Sequence, residues 1–68
     1  MIITLNGAAA EVPMGTSLEG LLIRSGHDAG RRGVAIAMNG EVVPRGMWPR
    51  QVVSEGDMVE LLIATQGG

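Results

Sequence analysis

The reactive group that the sequence offers most plainly is a C-terminal carboxylate, on Gly68 directly after Gly67. An α-carboxylate is ionised at neutral pH, and it is a poor electrophile until one oxygen becomes a leaving group. Adenylation by a partner enzyme would supply that leaving group, and a sulfur nucleophile could then form a thiocarboxylate. Because glycine has no Cβ, the pair can thread a narrow active-site channel in any backbone conformation. We therefore predict that Gly67 and Gly68 form the reactive site.

Side chains typical of catalysis are few. The chain has no cysteine and no lysine, which excludes thiolate nucleophiles and Schiff-base lysines. His27, the one histidine, follows a predicted helix end. The helix dipole favours a positive side chain there, so we expect His27 to cap the helix or to be solvated. Trp48 lies in a predicted loop and is expected to cover the edge of the core. No catalytic triad, metal-ligand set or phosphate-binding loop is recognisable. We therefore expect a carrier protein and not an enzyme, with no bound cofactor and no metal.

Charge and hydropathy limit the kinds of partner that the chain is expected to bind. Five arginines against seven acidic residues give a net charge of −2, and Trp48 is the only aromatic residue, which argues against nucleic-acid binding. No apolar run approaches the roughly 20 residues that span a membrane, and residues 1–4 do not resemble a signal peptide. We therefore expect a cytoplasmic protein. Glu55, Asp57 and Glu60 are predicted to form a solvated acidic edge, with docking as the alternative.

Two hairpins and one helix precede the last strand. Asn-Gly at 6–7 and at 39–40 predicts two type I′ turns, since both residue types tolerate positive φ. Thr16 and Glu19 have capping-box spacing and are predicted to begin a short helix, which Gly26 ends. Its apolar face follows the i, i+3, i+4 spacing of Leu18, Leu21 and Leu22.

The last strand, 58–64, is predicted to carry two different faces. Its inward residues, Val59, Leu61 and Ile63, alternate with outward ones. We define the docking strip as the outward residues together with two alanines of the neighbouring strand: Met58, Glu60, Leu62, Ala64, Ala35 and Ala37. An exposed apolar strip beside a reactive tail is typical of a partner-binding site, so we predict that this strip binds partners.

A lone helix with about five short strands predicts an α+β fold, the helix covering one sheet face. The chain is long enough for one domain only. We expect residues 1–64 to form that domain and residues 65–68 to form a flexible tail ending in Gly-Gly.

The ordered motifs of the chain resemble those of the ThiS-type sulfur carriers, which are β-grasp (ubiquitin-like) proteins related to MoaD. The resemblance extends over essentially the whole chain, in segments 3–7, 34–41, 43–45, 48, 55–60 and 67–68. It implies a mixed sheet of about five short strands packed on one helix. It also implies a role in thiamine (thiazole) biosynthesis: a ThiF-like enzyme adenylates Gly68 with ATP, a sulfurtransferase relay forms the thiocarboxylate, and thiazole synthase (ThiG-like) takes the sulfur.

Other interpretations remain open from the sequence. A MoaD-like carrier for molybdopterin has the same tail but is usually longer, and a carrier for another thiocarboxylate pathway stays open beside it. A ubiquitin-like protein-modifying tag would join the activated tail to substrate lysines. A pure interaction module would use the sheet surface and would not need Gly68.

Overall fold

The computed structural model describes residues 1–28, 30 and 32–64 of the chain. In chain order its elements are β1 (Ile2–Leu5), β2 (Ala8–Glu11), α1 (Leu18–Arg24), β3 (Val34–Met38), β4 (Glu41–Val43), a short 3-10 helix (Arg45–Met47) and β5 (Met58–Ile63). The strands form one sheet in the order β2-β1-β5-β3-β4. Within it, β5 runs parallel to β1 and antiparallel to β3. This is the predicted α+β, β-grasp arrangement, with each hairpin at one edge and the last strand between them.

Both hairpin turns are those that the Asn-Gly pairs predict. Asn6 and Gly7 have φ values of 50° and 83°, and Asn39 and Gly40 have values of 53° and 86°. These are left-handed conformations, which asparagine and glycine adopt at little cost. The first turn pairs β1 with β2, and the second pairs β3 with β4.

The predicted helix start is wrong by one residue. The N-cap is Ser17, whose hydroxyl oxygen accepts a hydrogen bond of 3.0 Å from the Gly20 amide. Thr16 instead donates its hydroxyl to the Pro13 carbonyl at 2.6 Å, and its own carbonyl accepts from the Val53 amide at 3.0 Å. Because Thr16 is held by these two partners, the capping role passes to Ser17.

The helix end is as predicted, at a left-handed glycine. Gly26 has a φ of 87°, and its amide donates to the Ile23 carbonyl at 2.9 Å. The next amide, of His27, reaches back to the Leu22 carbonyl at 3.1 Å. This pair of bonds is a Schellman motif, and it turns the chain away from α1.

The core lies between α1 and one face of the sheet. The three helix leucines predicted to face inward are fully buried, and they belong to one cluster with Ile3, Ile36, Val59 and Leu61. Leu5 and Ile63, also predicted on this face, are partly buried against the same cluster.

Trp48 closes the edge of the core, as predicted. Its side chain is 2% exposed, and its ring N–H donates to the Val43 carbonyl at 2.9 Å. The Arg45 guanidinium lies over the ring, 4.5 Å from its centroid, in a cation–π arrangement. The tryptophan thus fixes the segment after β4 against the sheet.

Candidate functional site

β5 presents two faces of opposite character. Val59 and Leu61 are buried, while the alternating residues Met58, Glu60 and Leu62 are exposed. Leu62 is 54% exposed, although it is a leucine in the central strand of the sheet. The open face, by which we mean the sheet face away from α1, therefore exposes apolar side chains at its centre.

β3 contributes the predicted alanines to this open face. Ala35 lies opposite Leu62 and Ala37 lies opposite Glu60 in the β3–β5 register, and residues directly opposite each other point to the same side of a sheet. Both alanines are half-buried, and Ala64, directly after β5, is exposed. The structure thus brings all six residues of the docking strip together on one face.

Two further apolar residues on the open face escaped the sequence prediction. Val42 of β4 lies opposite Ala37 and is 74% exposed, and Ile2 of β1 is 45% exposed. Their strands were predicted, but their place on this face depends on the hairpin register. The open face is therefore wider than the docking strip.

The charges that the five described strands place on the open face are all negative. Glu60 stands at its centre, and Glu11, which lies opposite Ile2 in the β1–β2 register, stands near its edge. None of the five described strands contains an arginine. A partner surface that is apolar and carries basic side chains would complement this face.

The predicted solvated acidic edge is exposed at Glu55 and Glu60, whereas Asp57 is half-buried. Asp57 accepts hydrogen bonds from the Ser54 amide at 2.7 Å and from the Asn39 side chain at 3.2 Å. Glu55 accepts one from the Ile2 amide at 3.1 Å. These two carboxylates fix the turn before β5 and do not form a free acidic patch.

The end of β5 is anchored on both sides. On the β3 side, the Ala64 amide donates to the Gly33 carbonyl at 2.7 Å. On the β1 side, the Leu61 amide donates to the Asn6 side-chain oxygen at 2.7 Å. The predicted reactive residues, Gly67 and Gly68, lie outside the described residues.

The described residues offer little for small-molecule chemistry. Within 1–28, 30 and 32–64 there is no ligand-sized pocket and no group of histidine and acidic side chains that could hold a metal ion. No helix in that part of the chain is long and apolar enough to cross a bilayer.

One helix packed across a mixed five-stranded sheet, with the last strand at the centre of that sheet, defines a β-grasp protein of the ubiquitin-like class. Comparison with known proteins identifies the family within this class. Residues 3–68 match the sequence model of the ThiS family. The chain therefore belongs to the ThiS family.

Individual relatives are similar over the full length of the chain. The sulfur carrier protein ThiS of Escherichia coli (strain K12) is 32% identical over 68 residues, which is all of both chains. The crystal structure of the thiamine biosynthesis protein (ThiS) from Geobacter metallireducens superposes with a TM-score of 0.80 at 31% identity, again over all of both chains. An NMR solution structure of a Geobacter metallireducens thiamine biosynthesis protein gives a TM-score of 0.81 at 30% identity, covering all of this chain and 88% of the other.

Proposed function

We propose that this chain is a sulfur carrier for thiamine (thiazole) biosynthesis and that the Gly68 carboxylate is the group that carries sulfur. A ThiF-like enzyme joins the carboxylate to the AMP portion of ATP and releases pyrophosphate. A sulfurtransferase relay then replaces AMP by sulfur, which leaves a thiocarboxylate. Thiazole synthase takes the sulfur and regenerates the carboxylate. The chain is a co-substrate of these enzymes and binds no cofactor of its own.

One observation carries this proposal: the match to the ThiS family reaches residue 68 and so includes the terminal glycine pair. The geometry of the described residues is compatible with it. Ala64 is fixed to Gly33, and four residues follow it in the sequence. Four extended residues span at most roughly 14 Å, so a carboxylate at their end can act only in an active site close to β5.

The open face is the proposed docking surface for the partner enzymes. It lies on the strand that leads to the tail, and it exposes Met58 and Leu62 by more than half. Contiguous exposed apolar side chains on a small domain mark interaction sites. Because the activating enzyme and thiazole synthase need the same tail, we propose that they bind this face in turn. We place all of these steps in the cytoplasm, with the enzymes that use ATP.

Two variants of the terminus test the proposal. Deletion of Gly68 removes the proposed carboxylate, and one extra residue after Gly68 moves it. We expect either variant to lose ATP-dependent adenylation by a ThiF-like enzyme, measured as ATP–pyrophosphate exchange. Circular dichroism should show the fold of the unaltered chain in both. Adenylation and sulfur loading of either folded variant would refute the mechanism.

A thiazole synthase assay separates this function from a MoaD-like one. The thiocarboxylated chain should supply sulfur to thiazole synthase and should not replace a molybdopterin carrier in the corresponding synthase. The opposite result would keep the carrier chemistry of Gly68 and overturn the pathway.

A further inference from the structure

Asn6 forms a turn and also bonds β5 through both its backbone and its side chain. Its backbone amide donates to the Val59 carbonyl at 2.9 Å, as the next residue of a parallel strand would. Its side-chain oxygen then accepts from the Leu61 amide at 2.7 Å, and its side-chain nitrogen makes a longer contact of 3.4 Å with the Leu61 carbonyl. The chain leaves the sheet at Gly7, so the Asn6 side-chain amide takes the place of the missing strand residue opposite Leu61.

Among residues 1–28, 30 and 32–64, this contact is the last one on its edge of β5. Along that edge the bonds come from alternate residues, beginning just before β5: the Asp57 and Val59 carbonyls accept from the Thr4 and Asn6 amides, and the Leu61 amide donates to the Asn6 side chain. The next in the series is Ile63, and the described β1–β5 pairing ends before it. Towards the tail, the Asn6 side-chain amide is therefore the last described hydrogen-bond partner of β5 on the β1 side.

We propose that Asn6 is a positioning residue for the reactive tail. Its side-chain amide fixes the backbone of β5 at Leu61 relative to the open face, so that a partner docked on that face receives Gly68 at the reacting distance. This inference rests on the proposed function. Reactions of held groups are sensitive to geometry, and a displacement of about 1 Å can cost a large factor in rate.

Asn39 provides a matched control at the other end of β5. It has the same left-handed conformation, with a φ of 53° against 50° for Asn6. Its side-chain oxygen accepts from the Met58 amide at 2.9 Å, and its side-chain nitrogen donates to Asp57. Both asparagines thus bond β5 through their side-chain amides, but Asn39 does so at the first residue of the strand, far from the tail.

The test compares Asn6→Gly with Asn39→Gly. Glycine retains the left-handed backbone and removes only the side-chain amide. In steady-state adenylation by a ThiF-like enzyme, we expect Asn6→Gly to lower kcat on the order of tenfold and to leave KM close to that of the unaltered chain. We expect Asn39→Gly to change neither. Equal losses in the two variants, or a change in KM alone, would overturn the proposal.

Two further measurements keep the inference independent of folding and of the proposed function. Asn6→Asp retains an oxygen acceptor for the Leu61 amide, so it should keep a kcat close to that of the unaltered chain; a loss as large as that of Asn6→Gly would contradict the role of this bond. Amide hydrogen exchange needs no partner enzyme. The Leu61 amide should exchange faster in Asn6→Gly than in Asn39→Gly, and equal exchange would refute the contact even if the chain proved not to be adenylated.

Discussion

Gly33 and Ala64 meet where β5 ends: the Ala64 amide donates a 2.7 Å hydrogen bond to the Gly33 carbonyl. Gly33 has a φ of 77°, and a Cβ at this position would lie 3.2 Å from the Cβ of Ala64. A residue with a side chain would therefore be strained in its backbone and would push against Ala64. The close approach of these two residues holds the last described residue before the glycine pair.

The first prediction is that Gly33→Ala destabilises the domain more than Gly40→Ala. Both positions are left-handed, which costs an alanine about 1–2 kcal/mol. A methyl group at Gly40 would point into open space, with no neighbouring atom within 4 Å, whereas a methyl group at Gly33 would meet Ala64. Chemical denaturation of both variants measures the difference. Equal stability would show that Ala64 yields without cost.

The second prediction uses two adjacent leucines. Leu61 is 7% exposed and lies opposite the fully buried Ile36, whereas Leu62 is 54% exposed. Leu61→Ala should cost about 2–5 kcal/mol, a large part of the roughly 5–15 kcal/mol that stabilises a typical domain. Leu62→Ala should stay within about 0.5 kcal/mol of the unaltered chain. Thermal unfolding of both variants checks the assignment, and a reversed order would mean that the faces of β5 are exchanged.

Local patterns were enough to predict much of the fold. A type I′ turn requires positive φ at both of its central residues, and Asn-Gly tolerates this conformation without help from any distant contact. The alternation along β5 likewise separates Leu61 from Leu62 without knowledge of the neighbouring strands. The same alternation predicted the docking strip on the open face, although its binding role stays a prediction.

Long-range contacts explain what the sequence could not predict. Thr16 and Ser17 are both good helix caps, and the choice between them depends on the bond from Val53, far along the chain. The Asn6 side chain reaches Leu61, 55 residues away. Such bonds depend on the strand order, in which β5 lies between the two hairpins, and no local pattern encodes that order.

The third prediction concerns docking on the open face. Leu62→Asp removes the apolar side chain at the centre of the proposed interface and puts a carboxylate in its place, and the cost of desolvating that carboxylate opposes binding. We expect it to weaken binding of both the activating enzyme and thiazole synthase, and we expect those two partners to compete for the unaltered chain. Ile23→Asp is the control, because Ile23 is 58% exposed on α1, on the other side of the sheet.

Titration calorimetry of each partner, with circular dichroism of each variant, decides this prediction. Unchanged affinity of a folded Leu62→Asp variant for both partners would exclude the open face. So would an equal loss in Ile23→Asp, since that variant leaves the face intact.

The fourth prediction concerns Gly67, which we expect to enter a narrow active-site channel of the activating enzyme. Gly67→Val adds a β-branched side chain next to the carboxylate, so we expect poor turnover by the activating enzyme. Its melting temperature should match that of the unaltered chain, because the described core residues run in sequence from Ile3 to Leu61 and so end before residue 67. Thr65→Val keeps a branched side chain of similar size and should turn over normally. Normal turnover of Gly67→Val would make the narrow channel unnecessary.

Sulfur loading of Gly68 is measured by the intact mass of the chain after incubation with ATP, a ThiF-like enzyme and a sulfur donor system. We predict a mass increase equal to the exchange of one oxygen for sulfur, located in the C-terminal fragment that ends in Gly68. The increase should be absent without ATP and absent when Gly68 is deleted. Sulfur found elsewhere on the chain, or an unchanged mass under conditions that load the ThiS protein of Escherichia coli, would show that the Gly68 carboxylate does not carry sulfur.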